Sequence, residues 1–216
     1  MTHHILGHTN SLLNEFIGEL RNVEVHTDSM RFRRNLERLG EIFAYEISKT
    51  LEYQNAEITT PLGVATMPVL KQQPVMATIL RAGLPLHHGL LNFFDRAENA
   101  FVSAYRKHHK DGTFDIKVEY LSCPDINNKV LIISDPMLAT GSSMLHTYKA
   151  LSVRGKPSHI HLIGLIASHE GLNHVKKHFP KNTTIWLGAV DDELTAQSYI
   201  VPGLGDAGDL AFGTKL

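Results

Sequence analysis

Apolar residues along this chain follow two alternating rhythms. One recurs every three to four residues, as on the buried face of an amphipathic helix. The other comes as short unbroken runs rich in β-branched residues, as in strands buried on both sides. The helical rhythm appears first in Leu12, Leu13, Phe16, Ile17 and Leu20. It returns in Phe32, Leu36, Leu39, Phe43 and Ile47, where Asp28-Ser29 supplies an N-cap and the helix is expected to run to about Leu51. From Glu57 to Leu70 one or two short strands are expected, broken by Pro61-Leu62-Gly63 and Pro68. Val75 to Leu80 reads as a buried strand, followed by an apolar helix through Leu90, Leu91 and Phe94. Phe101 to Tyr105 is a strand, and Thr113 to Leu121 alternates like the returning arm of a hairpin. Val130 to Ile133 is a core strand that breaks at Asp135-Pro136, because proline cannot donate to a ladder. A helix with Met144, Leu145, Tyr148 and Leu151 follows. Then come a strand from Pro157 to Ala167, a helix from Glu170 to Phe179 and a strand from Thr184 to Val190. Strands alternating with helices predict an α/β fold with a mostly parallel central sheet and helices on both faces. A single domain over residues 1–216 is expected, with a helical N-terminal arm over about 1–55 and a hairpin over about 101–121.

Composition narrows the function. The formal net charge is −1, so no global field holds a polyanion, and a general nucleic-acid binder is disfavoured. The one cysteine, Cys123, cannot form an intrachain disulfide, which fits a reducing, cytoplasmic setting. The opening residues MTHHILGHTN lack a basic region followed by a long apolar run, so no signal peptide is expected, and no stretch is long enough to span a membrane.

The most informative stretch is KVLIISDPMLATGSSMLHTYKAL, residues 129–151. Strand, small-residue loop and helix N-terminus is an arrangement that binds phosphate, because first-turn N–H groups and the helix dipole both favour an anion. Thr140, Ser142 and Ser143 add hydroxyl donors, and Gly141 allows close backbone approach. Asp135, at the C-terminal end of its strand, would repel a bare anion but could accept hydrogen bonds from sugar hydroxyls. The ligand so described is a sugar phosphate. On composition alone, a helix whose Ser and Thr merely cap it explains the stretch equally well.

DPMLATGSS resembles the phosphoribosyl pyrophosphate (PRPP) loop of the uracil branch of the type I phosphoribosyltransferases. Pro136 replaces the second acid of the general pattern, as in that branch, and Ser142 stands where the branch usually carries a second glycine. Two further segments carry the likeness. ILRAGL, with Arg81, resembles the pyrophosphate-contacting segment, and Tyr105-Arg106 matches a position that contacts PRPP. Lys107 and His108 then depart from the usual Asn or Asp followed by Glu, so the details of the flap's chemistry do not carry over. The basic tip of this hairpin, Arg106 to Lys110, reads as a flap over an anionic substrate. An ordinary solvated turn accounts equally for Lys107 to Lys110.

YIVPGLGDAGDLAFG, residues 199–213, contains G-x-G-x-x-G at Gly203, Gly205 and Gly208. It is not a dinucleotide fingerprint, because only eight residues follow Gly208 and a βαβ unit cannot fit. Its glycines, Pro202 and acids describe an irregular loop with exposed backbone. The segment resembles the uracil-binding, C-terminal base-binding loop of the same family, placed over about 191–216 here. The resemblance implies that Ile200, Gly205, Asp206 and Ala207 border uracil and that Asp206 also faces PRPP. It implies that Asp135, Pro136, Met137, Leu138, Ala139, Thr140, Gly141, Ser142 and Ser143 bind PRPP, with Leu138 to Ser143 on the 5-phosphate. Arg81 and Arg106 would neutralise pyrophosphate, and these two with Asp206 are the candidate catalytic residues. Mg²⁺ would arrive on the substrate, with no metal site built from protein alone. A homodimer or larger assembly, and GTP activation as in some members, are expected on the same ground.

Fourteen histidines invite a metal reading, and His174 and His178 lie four apart. His169-Glu170 is followed by Asn173, so the zinc-protease pattern fails, and scattered surface histidines are expected. Two other readings of the whole chain compete with the enzyme. A regulatory relative that binds RNA would need a basic face, which the net charge does not supply. A transferase for a purine base is opposed by the C-terminal segment.

Overall fold

The computed structural model describes residues 1–108 and 114–214, with the backbone alone between 104 and 118. Chain order is β1 (Thr2–Ile5), α1 (Leu12–Arg21), α2 (Ser29–Ser48), β2 (Tyr53–Thr60), β3 (Gly63–Leu70), β4 (Val75–Leu80) and α3 (Gly83–Leu91). There follow β5 (Glu98–His108), β6 (Phe114–Ser122), β7 (Val130–Leu138), α4 (Ser142–Leu151), β8 (His159–Ser168) and α5 (His169–His178). β9 (Thr183–Asp191), β10 (Glu193–Leu194), β11 (Ile200–Val201) and α6 (Ala207–Phe212) complete it.

Seven strands form one sheet in the order β1-β9-β8-β7-β4-β5-β6. Every pairing is parallel except β5 with β6. Alternate residues of the central strands feed two cores. Met76 and Ile132 face α1, α2, α3 and α6, whereas Val75, Ala77, Leu131 and Ile133 face α4 and α5. That is why these runs read as continuously apolar: both faces are covered. α2 and α3 cross closely. A methyl group on Gly89 would lie 1.9 Å from the Glu37 carbonyl oxygen, so only glycine fits there.

Several expectations need correction. The N-terminal arm is not wholly helical: Thr2–Ile5 adds an edge strand to β9, pairing Thr2 with Thr184 and Ile5 with Leu187. α2 begins as expected, with Asp28 accepting from the N–H groups of Met30 and Arg31, but it ends at Ser48. Pro68 does not break its strand. It pairs with Asn55 inside an eight-residue antiparallel ribbon of β2 and β3, where its missing N–H sits on an edge. Nor does Pro136 end β7, which runs on to Leu138. The ladder to β4 stops at Ser134, and the register to β8 runs Asp135 to Gly164 and Met137 to Ile166, leaving Pro136 no bond to lose. The hairpin of β5 and β6 has the expected form, with Arg106 opposite Ile116. Its tip, residues 109–113, and the Arg106 side chain lie outside the described residues.

The histidines are not uniformly on the surface. His87 is fully buried and shares a 2.8 Å hydrogen bond with Asn99, and His161 accepts from the Trp186 indole N–H at 3.0 Å. Burial pushes the first to about 4 and the second to about 3. Both values are lowered relative to the unfolded chain, so their contribution to stability is complete above pH 6.5 and is lost as pH falls towards 4 and 3. Each pKa unit is worth about 1.4 kcal/mol. Urea unfolding should therefore show a clearly lower midpoint at pH 5.0 than at pH 7.5. NMR at pH 5.0 should find both rings still neutral in the folded protein.

Candidate active site

The sequence order of the strands reverses between β4 and β7: β5 and β6 lie beyond β4, and β8 and β9 beyond β7. In open parallel sheets ligands bind outside the C-terminal strand ends at such a switch point. The two helices that start there differ from the others. α2, α5 and α6 carry side-chain caps from Asp28, Ser168 and Asp206, and α1 has a capping box from Ser11 and Asn14. Among the described residues, no side-chain oxygen caps α3 or α4. Thr140 Oγ1 comes nearest, 3.4 Å from the Ser142 N–H.

Gly141 is the N-cap of α4 and holds φ +75°, a left-handed conformation that favours glycine. Ser142 is already the first helical residue, so its side chain meets no strain and a second glycine is not required. The loop is fixed from behind. Ser168 at the end of β8 donates to the Ala139 carbonyl at 2.5 Å and accepts from Gly171 at 2.9 Å. His174 is half-buried beneath Gly141, its Nε2 buried without a hydrogen-bond partner among the described residues. Its ring touches that of His178, with centroids 4.3 Å apart. No group of three or more metal-ligating side chains occurs among the described residues.

Asp135 is half-buried just before the loop and accepts from the Met137 N–H at 3.2 Å. Surrounding protein desolvates its carboxyl and pushes it up to about 7. Pro136 and Leu138 are buried, while Met137, Ala139, Thr140, Ser142 and Ser143 keep partial exposure.

Arg81, the first residue after β4, ties this end of the sheet to the C-terminal segment. Its guanidinium donates to Asp209 at 2.7 Å and to the Gly213 carbonyl at 3.0 Å. A methyl group on Gly208 would lie 3.6 Å from Arg81 Nη2 and 3.2 Å from Asp206 Oδ1, so both side chains flank one point. Arg81 thus does pair an acid, yet its side chain keeps 39% of its surface exposed. The peptide bond before it, Leu80–Arg81, is cis, as is Val201–Pro202.

The C-terminal segment is more ordered than an irregular loop. β10 and β11 pair, and α6 begins where Asp206 accepts from the N–H groups of Gly208 and Asp209 at 2.8 and 3.0 Å. Ile200 and Ala207 are buried, whereas Gly205, at φ +92°, is exposed with open space beside it. Arg33 on α2 donates to the Ala211 carbonyl at 2.7 Å and pins the far end of α6. Sequence reading missed Asp209, Ser168 and Arg33. The acid of GDAGD and the Ser before a helix were visible signals, but Arg33 lay hidden among the charges of α2.

Strand order, the paired bare helix ends and the placement of the loop after β7 define a phosphoribosyltransferase fold. In agreement, a Staphylococcus aureus hypoxanthine phosphoribosyltransferase superposes with TM-score 0.51 at 15% identity, covering 86% of this chain and 84% of its own. A solved structure of an Aquifex aeolicus protein superposes with TM-score 0.87 at 28% identity over 100% of both chains. The uracil phosphoribosyltransferase family model matches residues 8–214. The chain is 58% identical to the uracil phosphoribosyltransferase of Porphyromonas gingivalis over 98% of both chains. It is 41% identical to that of Methanococcus maripaludis, over 93% of this chain and 86% of the relative. The chain belongs to the uracil phosphoribosyltransferase family.

The raised Asp135 carboxyl yields a stability prediction. Its folded value lies above its unfolded one, so its contribution is complete below about pH 4 and is lost as pH rises through 7. Asp135→Asn removes the charge that must be buried at high pH. The variant should unfold at higher temperature than the parent at pH 8, by an energy on the order of 4 kcal/mol, and at nearly the same temperature at pH 4. Calorimetry at the two pH values checks it.

Proposed function

We propose that the protein transfers the phosphoribosyl group of PRPP to uracil, giving UMP and pyrophosphate. Family membership supports this, and one observation carries the geometry: α3 and α4, neither capped by a side chain, both start at the C-terminal strand ends of the switch point, with Arg81 reaching from there to the C-terminal segment. Ribose 5-phosphate would rest on residues 138–143, where the Ser143 and Met144 N–H groups and the hydroxyls of Thr140, Ser142 and Ser143 can donate. Asp135 would accept from the ribose hydroxyls, and the base would lie against Ile200, Gly205, Asp206 and Ala207.

In the reaction the bond from ribose C1 to the pyrophosphate oxygen breaks, the bond from C1 to uracil N1 forms, and the N1 proton leaves to solvent. Positive charge grows on the sugar ring while negative charge grows on the departing oxygen. Arg81 and Arg106 would stabilise the leaving group, and the carboxylates of Asp135 and Asp206 would offset charge on the ring side. Holding both substrates at adjoining strand ends supplies the orientation. Asp135 is the one carboxylate of the PRPP loop, and Mg²⁺ carried in on the substrate and largely hydrated would need few protein ligands. Mg²⁺ so bound would neutralise pyrophosphate charge.

A cytoplasmic setting fits the lone thiol. No helix of the described residues is long and apolar enough to cross a membrane. The same assay with added GTP tests the effector that the family resemblance implies.

Incubation with PRPP, Mg²⁺ and uracil should produce UMP, with cytosine and purine bases inert. Arg106→Ala should lower turnover by about 100-fold while leaving the melting temperature nearly unchanged. An unaltered turnover would remove Arg106 from its role.

Self-association into a dimer or larger assembly is the second part of the proposal. Ala56, Ile58, Ala65, Met67 and Val69 share one face of the β2–β3 ribbon, with Ile58 and Met67 42% and 51% exposed. An isolated two-stranded ribbon is marginal in water, and a second copy would cover that face. Sedimentation velocity should show a dimer or larger species, and Ile58→Glu with Met67→Glu should release monomer.

A further inference from the structure

The base segment is held from a direction that no PRPP-binding residue occupies. Arg21, the last residue of α1, extends its guanidinium to Asp191, the last residue of β9. Nη1 and Nη2 donate to Oδ2 and Oδ1, both at 2.7 Å. This is the two-pronged fork that arginine forms with a carboxylate. Both groups then turn to the same third residue. Asp191 Oδ2 accepts from the Gly203 N–H at 2.8 Å, and Arg21 Nη1 donates to the Gly203 carbonyl at 2.9 Å.

Gly203 is therefore gripped by both of its backbone groups. It holds φ +56°, and a methyl group there would lie 2.1 Å from the Ile200 carbonyl oxygen, so no side chain could share in fixing it. Asp191 is only 7% exposed and Arg21 24%. Burial alone would raise the Asp191 carboxyl, but the Arg21 fork and the Gly203 N–H outweigh it and hold it below its ordinary value, so the carboxylate stays charged. Two residues beyond Gly203 the backbone emerges at Gly205, beside open space, and then enters α6 through Asp206.

We propose that Arg21 and Asp191 are positioning residues for the base: their ion pair fixes Gly203, and through it the orientation of the backbone groups that frame uracil. The inference rests on the reading of Ile200 to Ala207 as the base segment. Among the described residues no hydrogen bond or ion pair joins either residue to the loop after β7 or to Arg81. Its loss should therefore fall on uracil and spare PRPP. A polar base is selected by backbone donors and acceptors held in one pattern, and loosening that pattern weakens the match more than it weakens the fold.

The experiment compares Asp191→Asn and the milder Arg21→Lys, which keeps the charge but not the fork, with the parent and with Gly205→Asn. Asparagine tolerates a positive φ, and its side chain would fill the open space beside position 205. In both clamp variants the KM for uracil should rise at least about tenfold, with the KM for PRPP within about twofold of the parent. Circular dichroism identifies the variants that fold, and Arg21→Lys carries the test if Asp191→Asn does not. A folded clamp variant with unchanged uracil KM, or with both KM values raised equally, overturns the proposal. If Gly205→Asn also leaves the uracil KM unchanged, the base-segment reading itself has failed. If Gly205→Asn raises it while the clamp variants do not, only the role of the clamp is lost.

Discussion

A helix that begins without a capping side chain gives up about 1 kcal/mol of stability, and this molecule starts two such helices at the same end of its sheet, one on each face. Every other α-helix of the described chain has a side chain over its first turn. Both start where the strand order reverses, because β4 and β7 are neighbours whose connections leave in opposite directions along the sheet. The first turn of α4 offers backbone donors with a partial positive charge there. The rest of the site follows from that arrangement. Asp135 is brought to the edge of a desolvated strand end, where a carboxylate is uncomfortable until something hydrogen-bonds to it. Arg81 is brought to the opposite lip.

The elements around this site serve to hold it in one shape. Ser168 ties α5 to the start of the loop, and Gly141 carries the left-handed turn that lets α4 begin beneath it. On the other side Arg33 and the Arg21–Asp191 pair bring a short C-terminal helix against α2 and the end of β9. Segments far apart in sequence, β4 with its arginine, the loop after β7 and the C-terminal segment, are thus brought to one end of the sheet. Desolvated carboxyls such as that of Asp135 are common where function rather than stability sets the local structure.

The central strands, the helices between them and the loop after β7 were legible because their signals are local. A strand covered on both faces must be apolar throughout, a helix covered on one face must repeat at three to four residues, and Gly141 announces its turn by residue type. Where the reading failed, the deciding partner was distant. Thr2–Ile5 has no apolar run and becomes a strand only because β9 offers a free edge. Pro136 looked like a strand end because a proline's cost depends on whether a neighbouring ladder needs its N–H, and here that ladder has already stopped. His87 and His161 looked like surface residues because nothing in their own neighbourhood reveals Asn99 or Trp186 waiting in the core.

The sequence by itself determined the order of the central strands and helices, the kind of ligand that the loop at residues 135–143 suits and the family likeness of three separated motifs. Tertiary structure alone decided that those motifs meet, that Arg81 spans from one to another through Asp209, and that Arg21 and Asp191 hold Gly203 between them. The division has a physical cause. Backbone preference and hydrophobic period are written within a few residues, whereas an ion pair across 170 residues exists only once the sheet has brought its ends together.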